Sequence, residues 1–258
     1  MAEKSVLMRK TDSICTLTLN RPQVMNAVNL EMIEEALHTV YQVAADSEIK
    51  VVIIEGAGGN FCTGADMTLF KAGGKAPEWL EAMKRLGQVI NILREMPQPI
   101  ITKVRGMAVG GGANLALTGD FVIAAESAQL CEIFVNIGLV PDCGGIYFLP
   151  RLVGMAKARE LALLGNMIDG KNAASIGLIY KCVPDGKLDR EVDILARSLL
   201  TKCSESITLI KQGLNSSFDL TLKDALAWEA AHQAIMGQGE YVKKIAEQFF
   251  EKRGKSIS

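Results

Sequence analysis

Two glycine-rich segments, 56–66 and 106–114, each follow a run of apolar residues and precede a predicted helix. Glycine is required where the backbone takes a positive φ or where another group must approach the main chain closely. Backbone N–H groups at the start of a helix have no partner within the helix and can donate to a negatively charged oxygen. Two such donors facing one another would form an oxyanion hole, although tight turns alone would also account for the glycines.

The same segments lack the defining residues of the common phosphate-binding loops. Phe61 stands where a dinucleotide-binding GxGxxG loop has its last glycine, and Ala65 stands where a P-loop has its lysine. The two histidines, His38 and His232, lie in predicted helices, and no GxSxG motif supplies a serine nucleophile. Because histidine, cysteine and carboxylate residues do not cluster at zinc-site spacing, we expect no metal.

Composition narrows the partners and the compartment. The chain of 258 residues carries 28 basic and 29 acidic residues, which gives no positive field for a nucleic acid. Its six cysteines form no CxxC pair and are expected to be reduced thiols of a cytoplasmic protein. No stretch approaches the roughly 18 consecutive apolar residues of a membrane span, and the charged N-terminus predicts an unprocessed, soluble protein.

Alternating strand and helix patterns position the glycine segments. Strands are predicted at 13–19, 50–54, 100–104 and 121–124, with helices at 29–45 and 79–96 between them. Such repeated β-then-α units indicate an α/β core. After Gly138 the pattern is almost wholly helical. We therefore predict a mixed core over residues 1–200 and a helical region over residues 201–258.

Read in order, several segments of the chain resemble the motifs of the crotonase (enoyl-CoA hydratase/isomerase) family. The segments are 20–28 (NRPQVMNAV), 61–67 (FCTGADM), 110–115 (GGGANL), 138–145 (GLVPDCGG) and 149–154 (LPRLVG). The resemblance spans nearly the whole chain and is therefore more specific than any single motif. It is strongest to the branch that resembles the phenylacetate-pathway epoxyenoyl-CoA isomerases.

The resemblance implies a fold, an assembly and a ligand. The fold would be a spiral of ββα units whose C-terminal helices form a homotrimer, with two trimers commonly stacked as a homohexamer. The ligand would be an acyl-CoA thioester, so that coenzyme A belongs to the substrate and no separate cofactor is expected. The two oxyanion donors of the family fall on the N–H groups of Ala65 and Gly111. The family holds the adenine and pantetheine around Met25, Ala27, Thr63, Ala65, Asp66 and Met67.

One of these residues has a second interpretation. Aspartate is favoured at helix N-termini, and Asp66 precedes a possible helix, so it is interpreted first as a cap and second as a substrate-binding residue.

The sequence departs from the hydratases of the family at two positions. Those hydratases position a water with two glutamates, and here Asn114 and Phe134 occupy the corresponding places. An amide and a phenyl ring cannot transfer protons, so hydration by the usual mechanism is disfavoured. Asn114 is expected instead to orient a substrate group or a water by hydrogen bonding, and Phe134 is expected to line the substrate site.

Asp142 is the remaining acidic candidate at the expected active-site mouth. The epoxyenoyl-CoA isomerase branch carries an aspartate there, and one base suffices to move a proton from the α-carbon of a thioester to its γ-carbon. A simple helix-capping role for Asp142 is the alternative. Glu132 lies two residues before Phe134 and could share its face of an extended segment, which makes it a conceivable second acid.

The sequence therefore predicts an enoyl-CoA isomerase that shifts a double bond or isomerises a ring-epoxide. The alternatives are a hydratase that uses Asp142 or Glu132 with a water, and a non-catalytic subunit that binds acyl-CoA. Thioester hydrolysis and C–C cleavage also occur on this scaffold and stay open.

Overall fold

The structure, a computed structural model, describes residues 4–71 and 76–251. The strands of this part are β1 Val6–Thr11, β2 Ile14–Leu19, β3 Val51–Gly56, β4 Ile100–Val104, β5 Met107–Val109, β6 Phe121–Ala125, β7 Gln129–Cys131, β8 Met167–Asp169 and β9 Lys181–Val183. Its helices are α1 Leu30–Ala45, α2 Thr68–Lys71, α3 Ala76–Glu95, α4 Gly111–Ala116, α5 Gly145–Leu164, α6 Gly170–Ser175, α7 Leu188–Leu200, α8 Ser204–Ser216, α9 Leu222–Met236 and α10 Glu240–Glu251.

The strands form two sheets. The larger sheet has the order β1-β2-β3-β4-β6-β9, and all of its pairs are parallel except β1 with β2. The smaller sheet has the order β5-β7-β8. Isolated bridges join Cys62 to Ala108 and Val28 to Ala65, so short extended segments continue this second layer.

A repeated unit explains how two sheets grow from one chain. β3 lies in the larger sheet, residues 61–66 lie in the second layer, and α2 follows; β4, β5 and α4 repeat the same order. β6 and β7 again place one strand in each layer. The chain therefore winds as ββα units, which confirms the predicted α/β spiral. Each unit brings its second strand and the start of its helix to the same side of the molecule.

The central strands of the larger sheet are covered on both faces. Val51 and Val52 in β3 and Ile100 and Ile101 in β4 have no exposed surface. Parallel strands buried on both faces read as continuous apolar runs rather than alternating ones. β2 lies one strand nearer the edge and alternates buried with half-buried residues, as its sequence predicts.

Helix α1 covers this sheet and shows why the sequence forms a helix there. The Asn29 side chain accepts the Met32 N–H at 2.9 Å, which caps the first turn. Met32, Ile33, Val40 and Val43 are buried and recur about one or two helical turns apart, so one face of the helix packs against the core.

The chain divides into two compact units, Met1–Leu200 and Thr201–Ser258. The first contains both sheets, and the described part of the second contains helices α8 to α10. The roles assigned to residues 1–200 and 201–258 from the sequence stay predictions. Within the described part of the chain, no helix has the length and apolar character needed to span a membrane.

Candidate active site

An extended segment places the first predicted oxyanion donor. The Val28 N–H donates to Gly64 O at 2.7 Å, and the Asp66 N–H donates to Val28 O at 2.9 Å. In a parallel bridge the residue between these two, Ala65, turns its own N–H to the opposite edge. That N–H therefore points away from the Val28 segment.

The start of helix α4 places the second donor. Gly110 precedes the helix with φ 55° and ψ −126°, a conformation open to glycine, and its N–H donates to Cys131 O at 2.8 Å. Gly111 is the first helical residue, and its N–H has no acceptor within the helix. A Cβ added to Gly64 would lie 3.3 Å from Gly111 N and 2.9 Å from Val109 O. The segments that carry the two donors thus approach each other as closely as glycine allows.

Both donors open on one cavity of about 520 Å³. Nine of the residues predicted for the site line it: Met25, Ala27, Thr63, Ala65, Asp66, Met67, Gly111, Phe134 and Asp142. Further lining residues that the sequence did not single out include Trp79, Ile133, Ile137, Leu139 and Met167. These further residues are apolar or aromatic, so the cavity combines polar groups with a large apolar lining.

Asp142 lies on the chain just before α5, against the second donor. A Cβ added to Gly111 would be 3.0 Å from Asp142 Oδ1, and this oxygen is buried without a hydrogen-bond partner in the described part of the chain. Burial raises the pKa of the Asp142 carboxyl above its ordinary value, although the neighbouring Cys143 thiol partly opposes the rise. Cys143 itself has φ 49°, an unusual value for a residue other than glycine.

The helix-capping interpretation of Asp142 is wrong. Helix α5 begins at Gly145, its cap residue is Gly144, and no side chain accepts a cap hydrogen bond there. The Gly145 N–H instead donates to the backbone oxygen of Asp142 at 2.9 Å. The carboxyl group is therefore not used by the helix.

Asp66 lines the same cavity, but both oxygens of its carboxylate have partners. Its Oδ1 accepts the Thr68 N–H at 3.0 Å and the Thr68 hydroxyl at 2.7 Å, both from the first residue of α2, and the interpretation as a helix cap stays a prediction. Its Oδ2 pairs with Arg21 Nη1 at 2.8 Å. The bonds from Thr68, and then the Arg21 charge, hold the pKa of Asp66 below its ordinary value.

Asn114 and Glu132 lie behind the cavity wall and not on it. Asn114 has no exposed surface, and its Nδ2 donates to Glu132 Oε2 at 3.2 Å and to the backbone oxygen of Asp142 at 3.0 Å. The structure therefore does not place Asn114 among the residues that line the cavity, because α4 turns its side chain inward three residues after Gly111. Glu132 is 5% exposed, and burial raises its pKa to about 7.

Phe134 lies in the cavity wall. It is 4% exposed, and a Cβ on Gly110 would lie 3.6 Å from its ring. Phe134 and Asp142 line the same cavity. Among the described residues, no group of three or more histidine, cysteine or carboxylate side chains is arranged to hold a metal ion.

Known proteins are similar to this chain in sequence and in fold. Residues 9–256 match the family model for enoyl-CoA hydratase/isomerase. The 1,2-epoxyphenylacetyl-CoA isomerase of Escherichia coli is 38% identical over 251 residues, 96% of each chain. The crotonyl-CoA hydratase of Syntrophomonas wolfei is 33% identical over 260 residues, 98% of this chain and 97% of that protein. The crystal structure of an enoyl-CoA hydratase from a Polaromonas species superposes with a TM-score of 0.91 at 29% identity, over 98% of this chain and 99% of that one.

Proposed function

The chain belongs to the enoyl-CoA hydratase/isomerase family, and from that premise we propose that it isomerises an unsaturated or ring-epoxide acyl-CoA thioester through an enolate. One observation carries the proposal. The cavity sets the Asp142 carboxyl, whose Oδ1 has no hydrogen-bond partner among the described residues, beside the segments that present the Ala65 and Gly111 N–H groups.

Each part of this set has a chemical task. The thioester oxygen accepts hydrogen bonds from Ala65 N–H and Gly111 N–H, which stabilise the negative charge that develops there. The Asp142 carboxylate removes a proton from the α-carbon, and the carboxylic acid so formed returns a proton at the γ-carbon. The double bond moves, no water is consumed, and Asp142 is regenerated.

The surroundings of Asp142 suit a group that must both take and give a proton. An ordinary exposed aspartate is too weak a base to remove a proton next to a thioester efficiently. Burial raises the pKa of Asp142 and so brings the acid and base forms closer in free energy at neutral pH. Phe134, in the wall beside it, supplies part of that apolar setting.

Hydration is the less favoured reaction on this geometry, although several relatives carry the name hydratase. Addition of water requires one group to activate the water and a proton donor for the α-carbon. Of the described residues that line the cavity, only Asp66 and Asp142 carry carboxyl groups, and Asp66 is engaged by Arg21 and Thr68. Phe134 and the buried Asn114 offer no replacement.

The part of the cavity lined by Met25, Ala27 and residues 63–67 supports a binding site for coenzyme A. Met25 and Met67 line the cavity and expose 46% and 62% of their surface, and Thr63 lies on the same segment as Met67. The Thr63 N–H donates to Met25 O at 3.2 Å, which fixes the two segments side by side. Flexible apolar side chains such as these methionines suit the adenine ring, and backbone groups of the two segments suit the pantetheine amides. Ala27 and Asp66 complete this edge.

The second unit supports an assembly of several copies. In its described part, Leu214, Phe218, Leu222 and Ile235 each expose at least 67% of their surface. Large apolar patches on a protein surface are usually covered by another chain. We propose a homotrimer or a pair of trimers, which light scattering of the purified protein tests: a monomer at micromolar concentration would contradict it.

The reaction itself is tested by product analysis. Incubation of 2-enoyl-, 3-enoyl- and ring-containing acyl-CoA substrates in heavy water, followed by mass spectrometry and proton NMR, is expected to show double-bond migration with deuterium incorporation and no added water. A product heavier by one water would instead identify a hydratase. Binding of acyl-CoA without any exchange would identify a non-catalytic subunit.

A further inference from the structure

A buried acid is connected to the predicted base by a single side chain. Asn114 Nδ2 donates to Glu132 Oε2 at 3.2 Å and to the backbone oxygen of Asp142 at 3.0 Å. Both amide hydrogens of this nitrogen therefore have an acceptor. Because Asn114 is fully buried, water does not compete for these two hydrogen bonds. The two hydrogen bonds of Asn114 therefore hold the backbone at Asp142 in place relative to Glu132.

The setting of Glu132 is otherwise nearly apolar. The titratable groups that face it are Asp142, Cys131 and Cys143. Glu132 also lines a small cavity whose other lining residues are mostly apolar, among them Leu117, Leu130, Leu161 and Ile168. Burial first, and then the Asp142 charge, raise the pKa of Glu132 to about 7, while the Asn114 hydrogen bond opposes the rise. Glu132 therefore changes its charge within the working range of most enzymes.

We propose that Glu132 is a positioning residue for the isomerisation: through Asn114 it fixes the backbone at Asp142, and its negative charge favours proton uptake by the Asp142 carboxylate. The inference rests on the proposed role of Asp142 as the base. Two nearby carboxylates disfavour each other when both are ionised. When Asp142 takes the substrate proton, negative charge moves from the side of Glu132 to the oxyanion donors, and that movement is easier while Glu132 is ionised.

The proposal predicts two steps in the pH profile of α-proton exchange. The rate rises first as Asp142 ionises, and it rises again by about threefold to tenfold near pH 7 as Glu132 ionises. Glu132→Gln keeps the shape and an acceptor for Asn114 but cannot ionise, so the second step is expected to vanish while the first remains. Glu126→Gln is the matched control: Glu126 pairs with Lys171 outside the cavity, and this variant should retain both steps.

A measurement that needs no activity separates this proposal from the proposed function. In protein labelled with ¹³C at the glutamate carboxyls, one signal should titrate near pH 7 and be absent in Glu132→Gln. In Asp142→Asn the same signal should titrate at lower pH, because its like-charged neighbour is gone. If no acyl-CoA exchanges protons, the proposed function fails, yet these titrations still report the coupling.

Three results would overturn the inference. They are a wild-type profile with one step, a second step that survives in Glu132→Gln, and a Glu132 signal that does not move in Asp142→Asn. The first and third use chains that retain Glu132, so they decide the matter even if Glu132→Gln fails to fold.

Discussion

Two aspartates line the same cavity, and their surroundings differ in almost every respect. Asp66 is bonded by Thr68 at one oxygen and by Arg21 at the other. Asp142 has a buried oxygen without a partner in the described chain, close to Gly111. The pKa of Asp66 is lowered by its partners, whereas the pKa of Asp142 is raised by burial. A carboxylate held by several hydrogen bonds stabilises the fold. A buried carboxylate with an unpaired oxygen can still accept a proton, which is what a catalytic base must do.

The largest effect that tests this contrast comes from removing each charge in turn. Asp142→Asn keeps the size of the side chain but cannot accept a proton, so α-proton exchange in heavy water is expected to fall by about 10³-fold. Asp66→Asn should lower exchange by less than about tenfold and instead lower the free energy of unfolding by about 1–3 kcal/mol, because Arg21 loses its partner. Comparable losses of exchange in both variants would remove the distinction between the two aspartates.

A smaller loss is expected from pushing the two oxyanion segments apart. Gly64→Ala adds a Cβ 2.9 Å from Val109 O and 3.3 Å from Gly111 N, so the donors must separate and exchange should fall by about 10²-fold. Gly59→Ala is the matched control, because Gly59 has a similar φ of 86° and no atom within 4 Å of an added Cβ. Steady-state kinetics of the two variants separate backbone strain from the loss of close approach; equal losses would contradict the assignment of the donors.

Much of the larger sheet could be predicted from periodicity. The predicted strands 13–19 and 100–104 correspond to β2 and β4, and the predicted helix 29–45 corresponds to α1. The four three-residue strands β5, β7, β8 and β9 were missed, because so short a segment carries no measurable alternation. The helical pattern predicted after Gly138 begins with α5, which starts at Gly145 and is broken at Gly154, where φ is 71°.

The site was predicted unevenly for a physical reason. The glycine segments indicated backbone donors from their sequence alone, and the family resemblance then assigned Ala65, Gly111 and Asp142 to the site. The direction in which Asn114 points depends on how α4 packs against the segment before α5, and sequence spacing does not contain that information. The apolar wall, with Met167 on β8, comes from residues far apart in the chain that only the fold brings together.

One titration tests the contrast between the aspartates most directly. In protein labelled with ¹³C at the aspartate carboxyls, with Asp66→Asn and Asp142→Asn used to assign the signals, Asp142 should titrate above the ordinary value of 3.8 and Asp66 below it. Since the base must be ionised to act, exchange should be lost as the pH falls through the Asp142 titration. An Asp142 that titrates at or below the ordinary value would contradict its role as the buried, unpaired base.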